Sequence, residues 1–351
     1  MESLNKKLKD LGIISIMDLD DYWAPGPHHP AYHLIKNAEL DKKILNNIKL
    51  AEYVTTTTDI FAEEIAKFNK NVFVLPNAID PTEKQYTPNP EPSNGRLRIA
   101  FLGGSSHLKD LQILNGVVGR LRTDGLIDKV QFVLCGFDLR GTHTEIDSVT
   151  KEQRQRAILP KESVWYQYEK IFTDDYKSIS PEYKDFLMKF KNEEYPNVEN
   201  EAYRRVWTKP ITTYALNYNL FDVSLAPLEE NIFNKQKSQL KVVEAGFHKK
   251  ALIAQNFGPY KIDLKNAIKY GGGFDMSANA ILIDSNKNNK DWYDAIKKLI
   301  NNPDVVKSLQ NNLFDTVKDI YSMDSVTETR RNLYHSLISE KIKKNNLVLS
   351  S

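Results

Sequence analysis

The 351-residue chain has a single cysteine, Cys135, which excludes an intramolecular disulfide and any multi-cysteine zinc site. It has no apolar run near the roughly 20 residues that span a bilayer, which excludes a transmembrane helix. The N-terminal Met1-Glu2-Ser3-Leu4-Asn5-Lys6-Lys7 lacks the hydrophobic core of a signal peptide, so a reducing, cytoplasmic location is expected. Excess charge of one sign is also missing. The 48 basic residues are offset by 46 acidic ones, leaving a formal net charge of +2. That balance does not predict a dedicated nucleic-acid binder. What is present, 41% hydrophobic and 27% charged residues, is the composition of a soluble globular protein. Single cores rarely grow past roughly 250–300 residues, so two domains are expected.

Short apolar runs alternate with helical patterns, the signature of βα units around a parallel sheet. A first series has strands at Ile13–Met17, Tyr53–Thr56 and Val72–Leu75, with helical spacing at Ala38–Leu50 and Ile60–Phe68. Residues 81–95 carry four prolines and almost no core-forming side chains, and mark a linker. A second series follows in residues 96–325. Its strands are expected at Leu97–Leu102, Val130–Leu134, Asp222–Leu228, Ala251–Ala254 and Ile281–Ile283, and its helices at Leu108–Leu121, Trp292–Ile300 and Val305–Ile320. Residues 139–210 interrupt the rhythm as an insertion. A capping box, Ser325-Val326-Thr327-Glu328, opens a last helix over 326–338. The Lys/Asn-rich tail after Glu340 is expected to be solvated and frayed.

Chemistry concentrates in Asn231–Gly246, which follows a predicted strand and opens a helix with Ser238 as its N-cap. Leu240, Val243 and Phe247 share one face, while Lys237, Lys241 and Glu244 share another at i, i+4, i+7. A helix start flanked by lysines is an anion site, because free amides and positive charge converge there. Glu244 stands about 9 Å further along the axis than Ser238, at roughly 1.5 Å per residue. That separation suits the diphosphate and ribose diol of one nucleotide. It equally describes a surface helix with a Lys241–Glu244 pair worth only tenths of a kcal/mol. Gly103-Gly104-Ser105-Ser106 ends the first strand of the second series, with His107 and Lys109 just beyond. Glycines there allow close ligand approach, although a plain tight turn fits as well. Gly258-Pro259-Tyr260 forms a third loop at the same edge, where open α/β sheets bind ligands.

Asp222–Leu228, Phe233-Asn234, Lys237-Ser238-x-Leu240-Lys241-x-x-Glu244-Ala245-Gly246, Ala251–Ala254 and Gly258-Pro259-Tyr260 resemble the nucleotide-sugar half of GT-B glycosyltransferases. The nearest likeness is to retaining family four, the "glycosyl transferases group 1". Val74–Asp80 resembles the interdomain strand and linker of those enzymes, and Arg98–Gly104 the first strand and glycine loop of their second domain. The resemblance covers residues 50–135 and 205–340. It implies an α/β, GT-B-like fold of two Rossmann-like parallel-sheet domains facing a cleft, with a nucleotide-sugar donor linked to UDP or GDP. It also implies retention and a role such as polysaccharide biosynthesis with a glycan, lipid-linked glycan or protein acceptor; no metal and no cofactor beyond the donor is expected, because lysines and helix amides can carry the leaving diphosphate charge. Peripheral membrane contact is compatible with such acceptors. Carried over by position, Glu244 would hold the ribose hydroxyls, Lys241 or Lys109 would neutralise the diphosphate, and Gly103-Gly104 would border it. Lys237, Ser238, Gly258, Pro259 and Tyr260 complete the donor set. Gln236 replaces the first carboxylate of the family's E-x7-E. No catalytic residue is assigned.

The family's last helix crosses back to the first domain, which implies that 326–338 packs on residues 1–80 through Val326, Leu333, Tyr334 and Leu337. Three strands in about 80 residues are fewer than a complete acceptor domain needs, at about 30 residues per βαβ unit. A non-catalytic nucleotide-sugar binder, or a subunit completed by a partner chain, is therefore the alternative; an epimerase of the same fold lacks placeable acid and base groups.

Asp18-Leu19-Asp20-Asp21-Tyr22-Trp23 offers clustered carboxylates of the kind that hold magnesium or manganese, but a hydrogen-bonded turn at a strand end is favoured. Asp20, Asp21, Trp23, His28 and His29 are the acceptor-side candidates. Residues 165–207 hold eleven aromatics, expected to pack a core of their own rather than form a sugar platform.

Overall fold

The structure is a computed structural model that describes residues 2–146, 149–150, 152–284 and 288–349. β1 (Ile16–Leu19), β2 (Tyr53–Thr56) and β3 (Val72–Val74) form a three-stranded sheet in that order. All its pairings are parallel. Its core is Trp23, Ile48, Val54, Phe61 and Ile65. The helix Asp59–Ile65 supplies two of these and is capped by Thr58, whose hydroxyl accepts from the Phe61 amide.

The second sheet takes β4 (Leu97–Leu102) and β5 (Val130–Phe137), then the chain leaves it for an antiparallel hairpin of β6 (Thr142–Ile146) and β7 (Gln153–Ala157). It returns as β8 (Tyr203–Trp207), β9 (Val223–Ala226), β10 (Ala251–Gln255) and β11 (Ile281–Ile283). The strand order is β11-β10-β9-β4-β5-β8, parallel throughout. The chain builds outward from β4 to β8, then restarts at β9 on the other side of β4. The crevice between the carboxyl ends of β4 and β9 is thus the switch point at which such sheets bind ligands. Alternation along β4 sends Ile99 and Phe101 into one apolar layer and Ala100 into the other. The fold is the α/β arrangement of two parallel sheets expected from the sequence.

Several local expectations need correction. The stretch Leu108–Leu121 is two helices, Leu108–Gln112 and Val117–Thr123, broken at Gly116, whose φ of 88° no helix accommodates. β8 was hidden because its centre is Arg204-Arg205 rather than an apolar run. Arg205 is nonetheless buried, forked onto Glu169 by Nε and Nη2 at 2.7 Å each. The aromatics of 165–207 do not form a separate core. Trp165, Tyr168, Phe172, Tyr183 and Tyr203 join Phe101 and Phe132 in the main one.

The last helix runs Met323–Leu349, starting ahead of the expected capping box. Ser322 Oγ, not Ser325, accepts from a first-turn amide, that of Ser325 at 3.3 Å. The tail expected to fray is helical to Leu349, and its last two residues lie outside the described ones. Ahead of this helix, Ile79 exchanges backbone hydrogen bonds with Tyr321 (2.9 Å) and Met323 (2.8 Å). Further along, Lys341 Nζ reaches the Ile13 carbonyl and the Glu52 carboxylate, both at 3.3 Å. No described helix is long and apolar enough to cross a membrane.

Candidate functional site

A cavity of about 470 Å³ opens at the switch point. Its floor starts at the end of β4. A side chain at Gly103 would place Cβ 2.7 Å from the Phe101 ring and 3.0 Å from Lys241 Nζ, so glycine is what leaves room for the lysine. Lys241 uses that room to donate to the Leu102 carbonyl, with its ammonium 4.9 Å from the Phe101 ring centroid. It stands on the helix Leu240–Phe247, whose Val242, Val243 and Phe247 are buried in the sheet's second apolar layer. Burial lowers the Lys241 pKa to about 8, with Glu244 pulling the other way. Lys237 also lines the cavity and is likewise lowered by burial, opposed by Asp110 and Asp21. A third lysine, Lys209, follows β8 into the same wall.

Ser238 lines the cavity but is not the helix N-cap; Gln239 occupies that position and makes no side-chain cap. Glu244, one turn after Lys241, is 5% exposed. Tyr214 and Tyr218 donate to its two carboxylate oxygens, the latter at 2.9 Å. Burial raises its pKa, while Tyr214 and Lys241 work to lower it. The cavity therefore holds three lysines against the carboxylates of Glu244 and Asp21.

His107 lies beside the lysines. Its Nδ1 meets Asp110 Oδ2 at 2.7 Å, and its amide donates to the Tyr168 hydroxyl at 2.8 Å. Burial pushes the imidazole down to about 4, opposed by Asp110 and reinforced by Lys241 and Lys237. From the first sheet, Asp21 and His29 reach the cavity, His29 with its ring 4.9 Å from that of Phe233.

Other expected residues are placed elsewhere. Gln236 is buried away from the cavity, with Oε1 lacking a partner. Gly258 and Pro259 are buried under the short helix Ile232–Lys235, where a Cβ on Gly258 would sit 3.1 Å from Lys235 Cα; only Tyr260 reaches the cavity. Lys109 lines neighbouring hollows of about 220 and 580 Å³ with His28, not the central one. Asp20 accepts from Asn77 Nδ2 at 3.2 Å and does not line the cavity. Trp23 is 6% exposed and stacked on Phe61 at 6.1 Å, so it is a core residue and not an acceptor contact. Asp18 lies within β1, not in the expected turn, and accepts from Thr55 Oγ1 of β2 at 2.6 Å, its register partner across the sheet. Among the described residues no cluster of three or more His, Cys, Asp or Glu is set to hold a metal ion.

Sequence reasoning missed Gly136, Trp165, Thr208, Lys209, Tyr214 and Asn217. Thr208 and Lys209 became invisible with β8. Gly136 carries a φ of 98°, and its Cβ would meet the Gly103 carbonyl at 3.3 Å, a close approach that leaves no pattern in the sequence.

Solved structures share this architecture. Anabaena HepE, in complex with UDP and glucose, superposes with a TM-score of 0.56 at 11% identity, over 96% of this chain and 76% of that one. The fold is GT-B. TarM gives 0.55 at 14% identity over 94% of this chain, which spans 53% of TarM. The UDP-forming α,α-trehalose-phosphate synthase from Burkholderia vietnamiensis gives 0.55 at 10%, over 97% of this chain and 70% of that enzyme. No protein-family model matches the sequence, and no curated protein matches it significantly. In this GT-B frame the cavity lies at the carboxyl edge of the second sheet and is bordered by loops of both halves.

Proposed function

We propose that the chain is a glycosyltransferase that binds a UDP- or GDP-linked sugar in the central cavity and passes the sugar to an acceptor. One observation carries this reading. Lys237 and Lys241 meet the Gly103-Gly104 loop and Glu244 in a single cavity, at the position where parallel sheets take nucleotides. Ammonium groups in a half-buried site stabilise the charge that grows on a departing diphosphate, a role preorganised groups fill well. The lysines give the reading its metal independence. Glu244, held by its two tyrosines, would accept from the ribose hydroxyls with its remaining lone pairs. Gln236 would act only through the fold.

The structural neighbours support the reading, HepE being a protein with UDP and glucose bound. Retention of configuration follows from the resemblance to family four. The acceptor, a glycan, lipid-linked glycan or protein in cytoplasmic polysaccharide assembly, would approach past Asp21 and His29. Residues 1–80 with the helix over 326–338 would form the acceptor-side domain, and 96–325 the donor domain, joined by 81–95.

A second reading has its own support. Leu11, Ile13 and Leu34 in the small first half are 73%, 47% and 67% exposed, apolar surface that a partner chain would cover. The purified chain separates the two readings. Release of free UDP or GDP from the corresponding sugar nucleotide supports the enzyme. Tight nucleotide-sugar binding with no release, together with an assembled mass above that of one chain, supports the completed subunit.

A further inference from the structure

We propose, resting on the donor reading above, that His107 is a third diphosphate contact of the cavity and takes up a proton when the diphosphate binds, with Asp110 as its positioning residue. The geometry begins at Asp110, which is 3% exposed. Its Oδ1 accepts from the Glu229 amide at 2.8 Å and from Asn234 Nδ2 at 2.9 Å, which leaves Oδ2 for His107 Nδ1 at 2.7 Å. Burial works to raise the Asp110 pKa, but the His107 hydrogen bond, the nearby charges and the Glu229 amide outweigh it and hold the group as a carboxylate. A carboxylate only accepts, so Nδ1 is the donor, and the neutral ring carries its lone pair on Nε2. Nε2 has no hydrogen-bond partner among the described residues, and His107 lines the cavity.

The protein's own surroundings keep that ring neutral. Burial does most of this, opposed by Asp110, and Lys241 and Lys237 add to it from the helix Leu240–Phe247 and the turn before it. Phe101 from β4 packs its ring at 5.8 Å, and Tyr168 bonds the His107 amide. Asp21, His29 and Glu244 stand on the remaining walls of the same cavity. A diphosphate brings to the ring what burial denies it, acceptors and negative charge at hydrogen-bonding distance. Its oxygens are acceptors, and two acceptors do not pair without a proton between them. Its negative charge also outweighs the two lysines, so the imidazolium becomes the favoured form, with Asp110 stabilising it from behind. The proton comes from solvent, and affinity rises as pH falls from neutrality toward about 4, the ring's value in the free protein.

The test is calorimetric titration with UDP-glucose near pH 6.5, in two buffers of different ionisation enthalpy. UDP-glucose has no phosphate monoester, whose second pKa near 6 would mask the signal. At that pH Lys241 is already charged in the free protein, so it contributes no uptake. The expected result is uptake of at least half a proton per site, retained in a variant of the exposed histidine outside the cavity, His33→Gln, and abolished in His107→Gln. The latter should lose affinity roughly tenfold and show a flat profile below neutrality, keeping only the alkaline fall owed to Lys241. Asp110→Asn should diminish the uptake. Binding with no uptake, or uptake unchanged in His107→Gln, overturns the role of His107 and leaves the donor reading standing. No binding of UDP-glucose or GDP-glucose overturns both.

Discussion

Lys241 Nζ donates to the carbonyl oxygen of Leu102, from which it is separated by 139 residues of sequence. The bond fixes an ammonium at the carboxyl end of β4, over the face of Phe101, where the glycine loop begins. It ties the helix Leu240–Phe247 to the switch point of the sheet, and the absence of a side chain at Gly103 makes it sterically possible.

Gly103→Ala should therefore cost binding more than stability. The new methyl meets the tip of a lysine and the edge of a ring, neither of them backbone. An affinity loss for UDP of about tenfold is expected, with Tm shifted by only a few degrees. Unchanged affinity in a titration of the variant would contradict the placement of the diphosphate.

The low pKa of Lys241 has opposite consequences for stability and for binding. Below about 8 the group is charged in both native and unfolded chains; between about 8 and its ordinary 10.5 only the unfolded chain keeps the proton. Native stability owed to this residue therefore rises with pH across that window. Affinity for an anion does the reverse, full below about 8 and falling above it. Dissociation constants for UDP-glucose taken near pH 7 and near pH 9 should differ by about tenfold, and the difference should vanish in Lys241→Met.

Glu244→Ala removes the acceptor of two buried tyrosine hydroxyls, so it should destabilise the fold by about 1–3 kcal/mol as well as weaken nucleotide binding. Glu244→Gln keeps an acceptor for one tyrosine and is the cleaner probe of ribose recognition. Denaturation midpoints separate the two effects: the glutamine variant should bind UDP at least severalfold more weakly while unfolding near the wild-type midpoint.

Arg205 and Glu169 are 8% and 0% exposed, and Tyr176 and Tyr203 also donate to Glu169, at 2.6 and 2.9 Å. Removing one charge strands the other in the core. Glu169→Gln should lower stability by about 3–5 kcal/mol in urea denaturation, far more than any exposed pair such as Lys42–Glu39.

Much of the sheet was legible because β4, β5, β9, β10 and β11 are short apolar runs whose neighbours have helical spacing. β8 was not, since the cost of burying Arg204 and Arg205 is met by carboxylates outside the strand, Glu91 and Glu194 for one and Glu169 for the other. Lys241 and Glu244 were legible because one helix carries them at a fixed spacing, with Lys237 in the turn before it, whereas Lys209 was not. Trp23 was misplaced because a tryptophan after an acidic turn looks exposed until the rings of Tyr22, Phe61 and Phe68 close around it. Tyr214, Asn217 and Gly136 come to the cavity through tertiary packing alone, which no local pattern records.

The most direct test is a calorimetric titration of the chain with UDP-glucose and GDP-glucose in the presence of EDTA. Saturable one-to-one binding of one of them, undiminished by the chelator and weakened at least tenfold in Lys241→Met, is the result expected from a lysine-lined diphosphate site. Absence of binding to both, or binding that requires added manganese, would contradict it.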